Sequence, residues 1–358
     1  MKKLNKFYLK AYYMLLCVAI VPTLSLSLLS CEPEPEMGEG DGNSDKFLKP
    51  AECWCPYGST DYFMKGLHFF CSPSEAHVDF RIDVDYSVKV VSADGGSVSW
   101  CSIAPVSGKA SEFTTQTLTV RVSANNSNEA RSAKIRWLNG TSKVAEITVT
   151  QEKKPKIEAV DLGLSVKWAN CNVGAESPED YGGSFAWGET EEKTNYSWSS
   201  YKWCKGYGYN GFLMTKYCHH DEYGIVDNKS TLDPEDDIAH LRCGDGWRMP
   251  TADEVDELCE KCSWSWKTTQ NGVRGIEVTG PNGNSIFFTL SGYIFDGARS
   301  VDGNYGYYWS STLSTSSDPR FTSESYACCL KIAPYENTFR EWAQERHCGL
   351  PIRPVKGK

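Results

Sequence analysis

Four groups of residues in this chain have types and spacings that could do chemistry, and each points to a different kind. Asp233, Glu235, Asp236 and Asp237, gathered around Pro234, offer the hard oxygen ligands that calcium takes. Cys259 and Cys262, in a C-x-x-C spacing with Cys243, Cys218, His219 and His220 upstream, are zinc-ligand types. The adjacent pairs His347-Cys348 and Cys328-Cys329 raise the question of a thiol nucleophile. Last come the aromatic residues: Tyr201, Trp203, Tyr207 and Tyr209 in a glycine-rich segment, and Tyr305, Tyr307, Tyr308 and Trp309 before a serine run. Such rings give rigid amphipathic area that stacks on sugars or anchors protein partners.

The elements that must carry these residues narrow the choice. Asp233 stands where a helix N-cap belongs, with Pro234 at the first position and acids complementing the dipole before Ile238 and Leu241 turn inward. A calcium loop needs dispersed ligands around a glycine turn, so a cap is expected and no metal. In Gly246–Cys262, Thr251 is an N-cap with Glu254 three residues on, a capping box. Val255, Leu258, Cys259 and Cys262 then recur at i, i+3, i+4 and i+7, which puts both cysteines on the core face as buried thiols or disulfide partners. Adjacency in sequence supplies no activating base for Cys348 or Cys328, and no G-x-S-x-G, H-E-x-x-H or phosphate loop is present. No catalytic residue and no cofactor is therefore expected. Tyr201, Trp203, Tyr207, Tyr209, Tyr305 and Tyr307 are the ligand-binding candidates; Trp309 reads as core, while for Tyr207 and Tyr209 packing and binding both stay open.

The N-terminus gives an address. A basic stretch, an apolar run from Ala11 to Leu29 broken by Pro22, and then Ser30 and Cys31 read as a leader in residues 1–30. Leu28, Leu29, Ser30 and Cys31 resemble a bacterial lipobox, which implies cleavage before Cys31 and lipidation of that residue. The leader carries four lysines and no acid, so its loss leaves 33 of the 37 basic residues against 46 acidic ones, a net charge of −13. That charge excludes nucleic acid as an expected partner and leaves the lipid as the membrane contact. After Cys17 and Cys31 are set aside, thirteen of the fifteen cysteines remain, an odd number. From Cys31 to Asp45 the chain has six acids, two prolines, three glycines and no base, a composition that buries no core. This acidic tether resembles the export signal of surface lipoproteins in Bacteroidetes, implying an outer-membrane protein facing the exterior, with the periplasmic face as the alternative. The rest of residues 31–66 shows no readable pattern.

Beyond residue 66 strand signals take over. Val78, Phe80, Ile82 and Val84 alternate with polar neighbours, as do Leu118, Val120 and Val122, then Ala133, Ile135 and Trp137, then Ala145, Ile147 and Val149. The pattern predicts an immunoglobulin-like β-sandwich over residues 67–152. Trp100 to Pro105, Val122-Ser123-Ala124-Asn125, Arg131-Ser132-Ala133 and Ile147-Thr148-Val149-Thr150-Gln151 resemble the BACON domain (Bacteroidetes-associated carbohydrate-binding, often N-terminal), a family that implies sugar binding or a spacer role. Trp100 and Trp137 fit core positions, so the spacer role is expected.

Residues 153–158 form a linker. From Ala159 on, the opening stretch to Glu189, Lys216-Tyr217-Cys218, Asp245 to Thr251, Asn271-Gly272-Val273, Gly280 to Ile286, Tyr308-Trp309-Ser310-Ser311 and Pro351-Ile352-Arg353-Pro354-Val355 resemble, in order, the Fibrobacter succinogenes major paralogous domain. That resemblance covers residues 159–356 and implies a C-type lectin-like fold. Residues 275–279 and 285–288, flanking Pro281-Asn282-Gly283-Asn284, independently read as a hairpin. The expected architecture is mainly β with an α+β C-terminal part. The expected role is a non-catalytic, adhesin-like head for glycan or glycoprotein, the alternative being a structural or protein-partner module of an envelope assembly.

Overall fold

The computed structural model of the chain describes residues 49–54, 66–208, 211–244, 246–269, 271–300, 303–314, 323–336 and 338–358. The leader, Cys31 and the acidic tether lie outside them, and so does Tyr209.

Alternating residues make the first part a two-sheet sandwich, because every second side chain of a strand points to the same face. Its strands are β1 (Lys49–Trp54), β2 (Leu67–Phe69), β3 (Ser74–Ile82), β4 (Tyr86–Val91), β5 (Cys101–Ala104), β6 (Ser107–Gly108), β7 (Ser111–Val122), β8 (Arg131–Asn139) and β9 (Ser142–Gln151). One sheet has the order β1-β3-β7-β5, the other β2-β9-β8-β4-β6. Val78, Phe80, Leu118, Val120, Ile135, Trp137 and Val149 are fully buried between them, as their alternation predicts. The sandwich also takes in β1, which pairs antiparallel with β3. No sequence pattern announces that strand.

The second part is α+β. Its strands are β10 (Ala159–Val160), β11 (Lys167–Ala169), β12 (Cys204–Gly208) and β13 (Gly211–Met214), followed by α1 (Ile238–Cys243), β14 (Trp247–Arg248) and α2 (Ala252–Lys261). Then come β15 (Ser263–Thr268), β16 (Arg274–Thr279), β17 (Ser285–Thr289), β18 (Tyr293–Phe295), β19 (Ala298–Ser300), β20 (Gly306–Leu313), β21 (Tyr326–Ala333), β22 (Thr338–Glu345) and β23 (Val355–Lys356). The sheet β10-β11-β23-β14 brings the start of this part against its end. Arg353, fully buried, secures that closure by donating to Asn172 Oδ1 at 2.8 Å and to the Ala169, Asn170 and Phe287 carbonyls at 2.9–3.1 Å. The predicted hairpin is β16–β17, with Gly283 at φ +87° in its turn.

Helix α2 starts as its sequence requires. Thr251 Oγ1 accepts from Glu254 N at 3.3 Å, and Glu254 Oε2 accepts from Thr251 N at 2.9 Å. Val255 and Leu258 are buried, and Cys259 and Cys262 pack partly buried against the same cluster. Helix α1 departs from expectation. Its cap is Asp237, whose Oδ1 accepts from Ala239 N at 2.9 Å and His240 N at 3.1 Å. Asp233 precedes a separate 3-10 turn, Pro234–Asp236, and makes no side-chain cap bond there.

One apolar cluster runs without a break from Phe80 and Trp137 in the sandwich to Trp187, Ile238 and Leu350 in the α+β part. The linker therefore does not separate two cores. Sheet β20-β21-β22 lies between that cluster, which takes Trp309 and Cys329, and a second one that takes Tyr308, Leu330 and Ile332.

Candidate functional site

The acidic group resolves first. Lys216 Nζ stands 2.6 Å from Asp233, 2.5 Å from Asp236 and 3.6 Å from Glu235, among carboxylates close enough together to suit a cation. Tyr217 Oη donates to Asp236 at 2.6 Å, and Lys229 reaches Asp233 at 2.5 Å. An ammonium already fills the place a calcium ion would take, so the cluster is an ion-pair network. Burial opposes the Lys216 charge, but its hydrogen bonds to Asp233 and Asp236 outweigh that and raise its pKa.

The zinc-type residues do not converge. Cys243 belongs to the long shared cluster, Cys218 to a third cluster with Tyr201 and Met214, and Cys259 and Cys262 to the one beneath α2. Burial pushes the Cys262 thiol to about 11. His220 Nδ1 lies 2.8 Å from the buried Glu324, and His219 Nε2 is 3.0 Å from Ser230.

The aromatic candidates divide by depth. Tyr201 is buried: its hydroxyl donates to Trp187 O at 2.8 Å and accepts from Arg346 Nε at 2.9 Å, and burial raises its pKa. Trp203 is half-buried, its Nε1 fixed to Gly188 O at 2.9 Å and its ring under Lys202 Nζ at 4.1 Å. These two act as supports. Tyr305 and Tyr307, half-buried, stack at 6.4 Å, with Tyr293 edge-on to Tyr307 and Lys331 over Tyr305. Tyr207 on β12 is 75% exposed, the one described residue of the glycine-rich candidates that presents its ring to solvent.

Tyr207 heads a row of rings that no sequence pattern predicts. Its ring meets Phe212 of β13 edge-on at 5.1 Å, and Phe212 stacks on Trp198 at 4.3 Å and 16°. Trp198 lies against His347 at 4.6 Å, and His347 against Phe295 of β18 at 5.3 Å. Phe295 is 41% exposed, so the row emerges at both ends. The parts come from four places in the chain: the 3-10 turn Trp198–Ser200, hairpin β12–β13, strand β18 and the turn after β22.

Backbone pairing holds them in place. Ile294 and Gly349 exchange two hydrogen bonds at 2.8 and 2.9 Å, and Asp296 N donates to Tyr196 O at 3.1 Å. Gly349 leaves room for the Tyr196 ring, since a Cβ there would lie 2.6 Å from it and one of the two would have to shift. Beneath the row, buried Arg346 donates to the Tyr217, Glu324 and Lys216 carbonyls at 3.0–3.2 Å, with its guanidinium 4.9 Å from the Trp187 ring. It fixes the floor without a carboxylate bonded to it among the described residues.

His347 and Cys348 sit within this site and carry no activated thiol. Burial pushes the Cys348 thiol up to about 12, against a weaker opposing bond from Gln344. Burial likewise holds the His347 imidazole down to about 4, so it is neutral at pH 7. A protonated thiol is a poor nucleophile. A separate open cleft of about 440 Å³ is lined by Ser177, Pro178, Glu179, Lys267, Thr269, Asn271 and Phe287.

No curated protein matches the chain. Among solved structures, a Bacteroides ovatus GH5 xyloglucanase in complex with a XXXG heptasaccharide is similar at 20% identity and a TM-score of 0.23. That match covers 32% of this chain and 20% of the enzyme, a fifth of its length. An NMR structure of a protein from Bacteroides thetaiotaomicron is similar at 19% identity and a TM-score of 0.21, over 33% of this chain and 96% of that one. The sandwich is where a family is recognised: residues 90–152, from within β4 to just past β9, match the BACON model, described as "Putative binding domain, N-terminal".

Proposed function

We propose that this chain is a non-catalytic binding protein whose α+β part recognises glycan through the row of rings from Tyr207 to Phe295. The observation that carries the reading is the stacked pair Trp198–Phe212, continued by exposed Tyr207 at one end and Phe295 at the other. Sugar rings present flat C–H faces, and a fixed aromatic surface binds them with little ordering cost. In this reading the α+β part is a C-type lectin-like head of the major paralogous kind and the BACON-matched sandwich is its rigid stalk. A lipid on Cys31 ties the protein to the outer membrane, facing outward. The absence of an activated thiol at Cys348 favours binding over catalysis.

The test is a glycan array and mucin pull-down with the full chain, comparing wild type with Tyr207→Ala and Phe212→Ala. Binding reduced about tenfold or more in both variants is expected, since ring stacking is worth on the order of 1–2 kcal/mol. No binding by the wild type, or equal binding by all three, would overturn the reading.

A protein-partner role is favoured by a different observation: Phe113 is 88% exposed and Val106 61% exposed on the sandwich. Crosslinking on intact cells separates the two, because a partner of the envelope would be recovered with the wild type and lost with Phe113→Ser.

A further inference from the structure

We infer that Glu345, His347 and Cys348 form a binding site for a zinc-type divalent cation, at the point where His347 joins the aromatic row between Trp198 and Phe295. One ligand atom from each residue lies within 4.8 Å of the other two. His347 is 2% exposed, and its Nδ1 is buried without a hydrogen-bond partner. An orphaned imidazole nitrogen at full burial is costly, and a metal is one of the few things that satisfies it here. The rings of Trp198 and Phe295 lie tilted against the imidazole, and its Nδ1 finds no hydrogen-bond partner.

The set matches the chemistry of zinc more closely than that of calcium or magnesium. Thiolate, imidazole and carboxylate are the three side-chain ligand types of zinc sites, whereas calcium and magnesium take oxygen alone. The surrounding groups are those an outer shell would need. Gln344 Nε2 donates to Cys348 Sγ at 3.3 Å, suited to a thiolate. Glu345 and Gln344 keep partial exposure, which makes theirs the entry side. Three protein ligands leave the fourth tetrahedral position to water. On binding, the Cys348 S–H bond breaks, its proton goes to solvent, and the sulfur electron pair goes to the metal; no oxidation state changes.

The contrast with Asp233, Glu235 and Asp236 is decisive. That cluster also gathers three ligand atoms, but Lys216 stands among them. Among the described residues no lysine or arginine acts on the Glu345 carboxyl, whose pKa burial raises.

The experiment uses the full chain, stripped with chelator under reducing conditions, and titrates it with Co²⁺ as a spectroscopic probe and then Zn²⁺ as competitor. Expected are one equivalent of Co²⁺ bound, a thiolate-to-cobalt absorption band in the near ultraviolet, and its loss when Zn²⁺ is added. Cys348→Ser should abolish the band, and Glu345→Gln, at a partly exposed position that should leave folding intact, should weaken affinity about tenfold or more. A wild type without a band, or a band unchanged in both variants, would overturn the inference. Should Cys348→Ser not fold, Glu345→Gln and His347→Gln decide alone, an unchanged Co²⁺ affinity in both refuting it. The readout is independent of glycan binding, so either reading can fail without the other.

Discussion

Arg242 and Glu152 form a two-point ion pair, Nε to Oε2 and Nη2 to Oε1, each at 3.0 Å. Arg242 belongs to α1, and Glu152 follows the last residue of β9, so the pair spans the sandwich and the α+β part. Cys71 Sγ donates to the Arg242 carbonyl at 3.2 Å, and His68 lies 3.4 Å from Glu152 on the other side. With the apolar cluster running beneath, the junction is built as core and not as a hinge.

Breaking that pair should loosen the junction. About a quarter of each side chain is exposed, so Arg242→Leu should cost about 2 kcal/mol, below the ~3–5 kcal/mol of a fully buried pair. Urea denaturation of Arg242→Leu, Glu152→Leu and the double variant measures it. A coupling energy near zero would show that the pair is incidental.

Tyr201 and Tyr207 should behave oppositely. Tyr201→Phe removes a buried hydroxyl that bonds Trp187 O and Arg346, for about 1–3 kcal/mol of stability. Tyr207→Ala, at an exposed ring, should change stability by about 0.5 kcal/mol or less while removing ligand binding. Thermal melts beside binding assays separate the two; a large melting shift for Tyr207→Ala would return that residue to the core.

Glu146 should contribute to the acid limb of stability. Hydrogen bonds from Lys134 and Arg136 hold its carboxyl near 2, down from the ordinary 4.5. A depressed folded pKa gives stability that is fully present above pH 4.5 and lost as pH falls from there toward 2. Glu146→Gln should flatten that part of the profile and leave the slope between pH 6 and 8 unchanged. Equal slopes below pH 4.5 in both proteins would remove the assignment.

Thr251→Ala should cost about 1 kcal/mol, the worth of a helix cap whose reciprocal bonds to Glu254 are both formed. Thr251→Ser should restore most of it. Failure of serine to rescue would mean that the methyl group, and not the cap, matters.

Gly349→Ala should strain the binding site, because its Cβ would come 2.6 Å from the Tyr196 ring. Overpacking of this kind costs about 1–3 kcal/mol, with altered near-ultraviolet dichroism from the adjacent tyrosine and tryptophan. An unchanged spectrum would show that Tyr196 moves aside freely.

Local rules, acting within a few residues, made much of this protein legible from its sequence. Alternation marked Val78, Phe80, Leu118 and Ile135 as buried because a strand's side chains take turns between two faces. Thr251 and Glu254 declared the start of α2, and Pro281 to Asn284 the β16–β17 turn, because caps and turns satisfy nearby backbone groups. What a residue faces across the fold follows no such rule. Asp233 reads from sequence as the cap; the tertiary structure gives the helix to Asp237 instead and assigns Asp233 to Lys216, seventeen residues earlier. Tyr201 and Tyr207 share one glycine-rich, aromatic segment, yet the first is buried among Tyr196, Met214 and Arg346, the last 145 residues on, while the second stays exposed. The row from Tyr207 to Phe295 and the meeting of His347 with Trp198 likewise come from distant segments. Sequence period determines which face of an element turns inward, and only packing between elements decides what that face meets.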